Sequence, residues 1–423
     1  MNNIVVIGGG AAGMMAAGFA AKSGKSVTLI EKNYNLGKKL LITGKGRCNI
    51  TNNCEVRELI INVPVNGKFL TNVFYNFPAT DVIAFFQDKG LPTKIERGNR
   101  VFPVSDRAGD VVEVLEKFML NSSVDIIYRS VTDIKKFGNI FALRLSDNKV
   151  LRAESVIIAT GGKSYPGTGS TGDGYKFARE FGHKIIPTKS SLVPIEAKFF
   201  LSEENLPAKD ASGYVPVMAL QGLALKNAAI KILDNNGKTV YSDFGEMLFT
   251  HYGVSGPMIL SASSKVCRID NHKLSIDLKP ALDEKQLDAR LQRDFKLNSN
   301  KKFENILKFL VPKKLIPIII QLSEIQPEKQ VNQICKTERK KLVFLLKNLS
   351  IKLEKFRSLK EAIITSGGVD VKEINPKTME SKLVEGLYFA GEVIDCDAYT
   401  GGFNLQIAWS TGFAAGNSCA DKS

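Results

Sequence analysis

The feature that most constrains this chain is a glycine-rich turn set between a strand and a helix. Residues 4–7, Ile-Val-Val-Ile, run into Gly8-Gly9-Gly10-Ala11-Ala12-Gly13, and residues 11–22 have the small, alanine-rich composition of a closely packed helix. A second apolar run, 26–30, ends in Glu31, eighteen residues after Gly13. Strand, G-x-G-x-x-G, helix, strand and terminal acid, in that order, make the βαβ unit that binds dinucleotides, and each part has a physical task. Gly8 permits the tight turn, Gly10 lets the backbone approach a pyrophosphate, and Gly13 lets the helix lie close on the sheet. The helix start at Ala11 and Ala12 offers unpaired N–H groups and partial positive charge to the anion. Glu31, with Lys32 beside it, is placed to hold a ribose diol, and an acid there disfavours a 2′-phosphate. A ligand-free glycine turn does not account for Glu31.

The same pattern recurs at Gly167-Thr168-Gly169-Ser170-Thr171-Gly172. Pro166 precedes it and no strand with a terminal acid follows, so it reads as a flexible loop and not as a second nucleotide site. Its position after Ala159-Thr160-Gly161-Gly162 puts it near whatever the first turn holds. A chain with separate flavin and nicotinamide domains usually shows two fingerprints, so any nicotinamide must bind in another way.

At 423 residues, 44% of them hydrophobic, the chain exceeds one ordinary core, and two or three domains are expected. Cys48, Cys54, Cys267, Cys335, Cys396 and Cys419 are scattered, without CxxC or metal-ligand spacing, which argues against structural zinc and suits a reducing cytoplasmic compartment. Met1-Asn2-Asn3 carries no basic region of a secretory signal. No apolar run approaches the roughly 20 residues of a membrane helix, and the densest, 315–322, contains Pro317 and Gln321. These features predict a soluble protein.

The formal net charge is +15, and between Lys279 and Lys360 there are 20 Lys and Arg against 9 Asp and Glu. A solvated helical face is favoured over a nucleic-acid patch, because aromatic residues that could stack on bases are few there.

The first strand and helix predict an α/β opening. Residues 33–53 form a long loop with Gly37, Gly44 and Gly46 and four basic side chains. Helices are expected at 69–77, 79–89 and 109–121, and strands at 93–96, 100–103, 124–128, 130–135, 141–145, 150–152 and 155–159. From about residue 190 the chain turns β-rich, with strands at 193–197 and 228–233 and the hairpin turn Asn235-Asn236-Gly237 leading into 239–244. Beyond Pro280 it is helical and lysine-rich through about residue 338. A strand at 386–390 and a small-residue helix at 404–419 then resume the α/β grammar, so the two ends are expected to share one domain.

Three further stretches carry a resemblance. Ala159-Thr160-Gly161-Gly162, the run Leu387-Tyr388-Phe389-Ala390-Gly391-Glu392 and the helix-opening Gly401-Gly402-Phe403-Asn404-Leu405-Gln406 together resemble flavoproteins with two dinucleotide-binding domains. In those proteins the Ala-Thr-Gly turn lies near FAD and the late Gly-Glu contacts a ribityl or phosphate group. More specifically, Thr43-Gly44-Lys45-Gly46-Arg47-Cys48-Asn49, Arg100-Val101-Phe102-Pro103, Phe249-Thr250-His251-Tyr252-Gly253-Val254-Ser255-Gly256-Pro257 and Tyr399-Thr400-Gly401-Gly402 resemble the YhiN/BaiN-like flavoprotein family, which includes aminoacetone oxidases. The resemblance spans nearly the whole chain. It implies a Rossmann-like FAD-binding domain (1–189 and 361–423) interrupted by a β-barrel-like insert (190–280 and 339–360) and a small helical insert (281–338). It also implies that Arg47, Cys48 and Asn49 lie beside the flavin, that Val131 meets adenine through its backbone, and that Asn404, Leu405 and Gln406 open a helix aimed at the isoalloxazine. A helix N-terminus there stabilises negative charge on the reduced ring.

Arg47 also reads as a surface charge, and for Cys48 an inert core thiol is the preferred reading, since no evident base lies nearby in sequence. His251, one of three histidines, is either a proton donor or a hydrogen-bonded structural residue. Tyr399 and Tyr165, both in glycine-rich loops, are alternative acids or substrate clamps. The expected function is an FAD-dependent oxidoreductase that exchanges hydride with a small organic molecule, with NAD(P)H or O₂ as redox partner. The rivals are an FAD-dependent RNA-modifying or RNA-binding protein and a flavin sensor without turnover.

Overall fold

In the computed structural model, residues 3–200, 214–215, 217–266, 269 and 272–421 are described. Cys267 lies outside them. The chain divides into two compact units, Met1–Ser191 with Ser358–Ser423, and Leu192–Arg357.

The first unit is built on a five-stranded parallel sheet. Strand β1 (Asn3–Ile7) lies at its centre, between β2 (Ser26–Glu31) and the strand Ser155–Ile158, with Asp125–Tyr128 and Leu387–Phe389 at the two edges. All four residues Ile4 to Ile7 are buried, as the central strand of a two-sided parallel sheet requires. Helix α1 (Ala11–Lys22) is apolar on nearly every side because it is enclosed: Met14, Met15, Ala16 and Ala17 have no exposure. Its partner is the closing helix Phe403–Asp421. A Cβ on Gly412 would stand 2.5 Å from the Ala12 carbonyl oxygen, and one on Gly416 at 2.5 Å from that of Ala16. The two helices therefore meet backbone to backbone, which only glycine allows.

Phe19, Phe77, Phe85, Phe118 and Phe413 pack around the outer end of α1, with Phe77 and Phe413 stacked at 4.5 Å. The strands Val131–Phe137, Ile140–Leu145 and Val150–Ala153 form a separate antiparallel meander, as their alternating pattern predicts.

In the second unit six antiparallel strands close on themselves. Ile195–Phe200 pairs Gly253–Ser255, which pairs Thr239–Phe249, then Ala224–Leu233, Lys273–Asp277 and Leu349–Phe356, which returns to Ile195–Phe200. Closure removes the sheet edges. The helices Glu284–Leu297, Phe303–Leu310, Ile316–Ser323 and Lys336–Lys347 share one apolar core with this barrel. The first of them starts at a capping box between Asp283 and Gln286. The α/β class with a barrel-like insert and helices thus holds, although the last helix runs to Lys347, nine residues past the point where the sequence pattern suggests it ends. No helix among the described residues is long and apolar enough to cross a membrane.

Candidate functional site

The glycine turn is an assembly of close backbone approaches. Gly8 has φ 108° and donates its N–H to the Ile30 carbonyl at 2.8 Å, and a Cβ on it would stand 2.5 Å from the Ala159 oxygen. A Cβ on Gly13 would stand 1.8 Å from the Gly8 oxygen and 3.3 Å from Ala159 Cβ, and one on Gly391 at 2.8 Å from Ala12 Cβ. Three stretches far apart in sequence, 8–13, 159–160 and 391, are thereby brought together. Gly10 differs: nothing lies within 4 Å of where its side chain would be. Gly10 caps α1 without a side-chain bond, and the first turn holds no acid. The helix start thus lacks a side-chain cap and has open space beside Gly10, which suits a pyrophosphate.

Glu31 is buried, and its Oε2 accepts from the Gly9 N–H at 2.7 Å while Oε1 accepts from the Asn33 N–H and Nδ2, both at 2.7 Å. A carboxylate has about four acceptor directions, so a ribose hydroxyl finds limited but real capacity there. Lys32 Nζ donates to Asp173 at 2.7 Å and to the Thr171 hydroxyl at 2.5 Å. It ties the second glycine loop to the end of β2. Val131 opens its meander strand opposite Leu145.

Glu392 is the hub of a network that the sequence does not reveal. Its Oε2 accepts from Lys39 Nζ at 2.6 Å, and its Oε1 accepts from the Ser164 hydroxyl and the Thr365 N–H, each at 2.8 Å. The Thr365 hydroxyl oxygen accepts from the amides of Lys163 and Ser164 at 2.7 and 2.9 Å. The Gly391 N–H donates to Thr411 Oγ1 at 2.9 Å, which fixes this loop to the closing helix. Lys39, Ser164 and Thr365 read as ordinary surface or loop residues in sequence, and no spacing rule links them.

Residues 43–49 follow an unusual path: Gly44, Lys45, Gly46 and Cys48 all have positive φ. For Lys45 and Cys48 this is strained backbone of the kind that gathers at functional sites. The Arg47 guanidinium bonds Glu96 and Asp106 at 2.5 and 2.6 Å and lies 4.2 Å over the Phe102 ring, so it is a paired cation. The hydrogen bonds it donates to Glu96, then to Asp106, hold its pKa above the ordinary value. Cys48 is fully buried, and burial pushes its thiol up, which keeps it protonated and favours the inert role.

At the start of the closing helix, Gly402 has φ 101° and lies so close to Thr51 that a Cβ would stand 2.4 Å from the Thr51 carbonyl. Asn404 clamps the preceding loop, its Oδ1 accepting from the Ala398 N–H at 2.9 Å and its Nδ2 donating to the Ala398 oxygen at 2.8 Å. Leu405 is half-buried beside it. Gln406 is wholly buried and its amide is consumed inside the protein, by Thr51 at 2.5 Å and by the Phe77 oxygen and Ser410, each at 2.9 Å. The Gln406 side-chain amide is thus engaged within the protein. Tyr399 is half-buried and donates its N–H to the Asn62 oxygen at 3.0 Å. His251 belongs to the other unit, exposed in the turn between two barrel strands with its ring edge-on to Tyr252 at 4.6 Å.

The polar atoms left over test whether a flavin dinucleotide suits these residues. Among the described residues, four buried side-chain atoms lack a hydrogen-bond partner: Asn49 Oδ1, Thr160 Oγ1, Tyr388 Oη and Asp397 Oδ1. Buried polar groups are almost always paired. Asn49 and Thr160 lie in the two loops that the sequence assigns to the cofactor, so FAD fits this donor and acceptor set.

Known proteins agree. The chain is 32% identical to the 3-dehydro-bile acid delta(4,6)-reductase of Clostridium scindens, with full coverage of both. It is 32% identical to the ribosomal RNA dihydrouridine synthase of Escherichia coli, over 97% of this chain and 96% of that one. Among solved structures, a 3-ketosteroid-delta4-(5alpha)-dehydrogenase from Rhodococcus jostii shares the fold with a TM-score of 0.53 at 13% identity, covering 99% of this chain and 97% of that one. The open form of a flavocytochrome c3 fumarate reductase does so with a TM-score of 0.51 at 16% identity, covering 99% and 78%. The family model described as HI0933-like protein Rossmann domain matches residues 2–418, and this chain belongs to that family as an FAD-dependent oxidoreductase.

Proposed function

We propose that this protein reduces a carbon–carbon double bond conjugated to a carbonyl in a small organic molecule, with NAD(P)H as the electron donor. The observation that carries the reading is the cradle itself, the uncapped start of α1 with Gly10 open beside Gly391 and Ala159, joined to what the relatives' names have in common. A delta(4,6)-reductase of a 3-dehydro-bile acid and a dihydrouridine synthase both saturate a double bond activated by a nearby carbonyl. When bound, FAD supplies hydride chemistry. The protein's share is to hold the diphosphate at α1, to grip the adenosine ribose with Glu31, and to place the amides ahead of Gln406 where they stabilise negative charge. Lys39, Ser164 and Thr365 hold Glu392 in place for the ribityl or phosphate end.

Of the proton donors proposed from sequence, His251, Tyr399 and Tyr165, Tyr399 is favoured, because it lies in the same unit as the cradle on a loop fixed by Asn404. Replacing it with Phe is expected to slow substrate reduction roughly 100-fold or more without releasing FAD. His251→Asn is expected to leave flavin loading unchanged and to slow turnover only if the imidazole supplies the proton.

The deciding experiment is anaerobic. The flavin-loaded protein is reduced with NADPH or NADH and then mixed with cyclic enones and 3-oxo-Δ4 steroids. Reoxidation of the flavin with matching loss of the double bond supports the reading, and a flavin that only O₂ reoxidises sinks it. A second substrate reading, a uracil ring within RNA, rests on the dihydrouridine synthase relatives alone. Reoxidation by uridine-containing RNA but not by free enones, with a steep salt dependence, would select it.

A further inference from the structure

We propose that Asp397 is a direct hydrogen-bonding contact of the bound flavin cofactor, made through its Oδ1. This goes beyond the cradle and does not depend on the substrate. Asp397 is 1% exposed, yet Oδ1 has no partner among the described residues, while Oδ2 accepts from the Ser191 hydroxyl at 2.8 Å. An unpaired buried oxygen of this kind costs on the order of 1–3 kcal/mol, and a native fold retains one where a ligand completes it.

The position of Asp397 in the fold points to which ligand. It lies on the segment that joins Glu392 to Asn404, the two residues at either end of the late cofactor loops. That segment is held on both sides. Val65 bridges to Asp397, Asn66 Nδ2 donates to the Asp395 carbonyl oxygen at 2.6 Å, and Asn404 clamps Ala398. The other orphaned atoms on cofactor loops, Asn49 Oδ1 and Thr160 Oγ1, share its condition. All three are explained at once if one molecule bonds them.

The surroundings also favour one form of Asp397. Burial raises its pKa, and Glu392 raises it further, against the lowering effects of Ser191, Ser366 and Lys189. Asp395, whose own pKa is raised by burial, adds a second nearby acid. In the protonated form, which these raising effects favour, the carboxyl has one O–H to give to an acceptor on the cofactor. Were it ionised, it would repel the negative charge that a reduced flavin gathers.

The test compares Asp397→Asn, which keeps a donor, with Asp397→Leu, which fills the same volume without one. Each is purified, checked for folding by circular dichroism, stripped of flavin and titrated with FAD. The leucine variant is expected to bind FAD about 10-fold more weakly, with a displaced flavin absorption band, and the asparagine variant to stay within about twofold of the parent. A folded leucine variant with parental affinity and spectrum overturns the contact. Equal weakening in both variants overturns the neutral-donor form. If the leucine variant does not fold, the parent protein and Asp397→Asn are titrated across pH. Raising the pH ionises Asp397 and must weaken FAD binding in the parent alone, so parallel curves overturn the proposal.

Discussion

Two stretches of this chain spell G-x-G-x-x-G, and only one builds an anion cradle. At Gly8–Gly13 the helix starts right after the middle glycine, its first turn holds no acid, and the space in front of Gly10 is open. At Gly167–Gly172 the helix Asp173–Glu180 starts only after the last glycine, and its first residue is an acid. Asp173 is already paired with Lys32, so the charge that a ligand would bring to this helix start is supplied by the chain itself. The same six-letter pattern therefore marks a binding turn or a closed one according to where the helix begins and whether a carboxylate stands in its first turn.

Substitutions can break this contrast or sharpen it. The largest effect is expected at Gly13→Ala, whose Cβ would stand 1.8 Å from the Gly8 oxygen. The clash is with backbone that cannot step aside, so a loss of about 3 kcal/mol or more and a colourless purified protein are expected. Urea denaturation and the flavin absorption band measure both, and a stable yellow variant would refute the close-approach account. Next comes Glu31→Ala, which strips acceptors from the Gly9 amide and from Asn33. A loss of about 1–3 kcal/mol and weaker FAD retention are expected, and undiminished flavin content after dialysis would contradict them.

Lys32→Met should do less. Its pair with Asp173 is partly solvent-exposed, so at most about 1 kcal/mol is expected. If Lys32 also touches the cofactor, FAD affinity falls by more than thermal stability does, and equal changes would assign the lysine to loop anchoring alone. The smallest effect is expected at Gly167→Ala, the second pattern's first glycine. It has no positive φ and nothing within 4 Å of the added carbon, so stability and FAD content should stay within about 0.5 kcal/mol and unchanged, respectively.

Legibility in the sequence followed the same division. The opening βαβ unit was readable because each element announces itself locally, and the strands Thr93–Glu96 and Arg100–Pro103 fall where the pattern puts them. The strand Leu349–Phe356 was recoverable too, since Leu349, Ile351 and Leu353 are buried and alternate with polar residues. It was hidden by the lysine-rich helix before it. The pair Ile185–Ser191 and Ile364–Val369 was missed for a different reason: Pro187 and the adjacent Gly367 and Gly368 are strand-breaking signals, and only pairing of distant segments makes strands of them. Of the site, the glycine turn and Glu31 were legible. Lys39, Ser164, Thr365 and Asp397 were not, because a single charged or hydroxyl side chain carries no sign of its burial or its partners. The helix Asp173–Glu180 that follows the second pattern carries no reading from the sequence, since nothing local reveals that Lys32, about 140 residues earlier, pairs its first acid.

The backbone contact between α1 and the closing helix has a consequence for biosynthesis. Gly412 and Gly416 lie against Ala12 and Ala16, and Gly391 against Ala12 at the mouth of the cradle. The turn at residues 8–13 thus waits for residues 391–416, made much later, before it is walled in. Until then the emerging chain presents half a socket with its apolar helix bare. Cofactor capture therefore waits on residue 391, and a nascent chain stalled before it should be unable to retain flavin however complete its glycine turn.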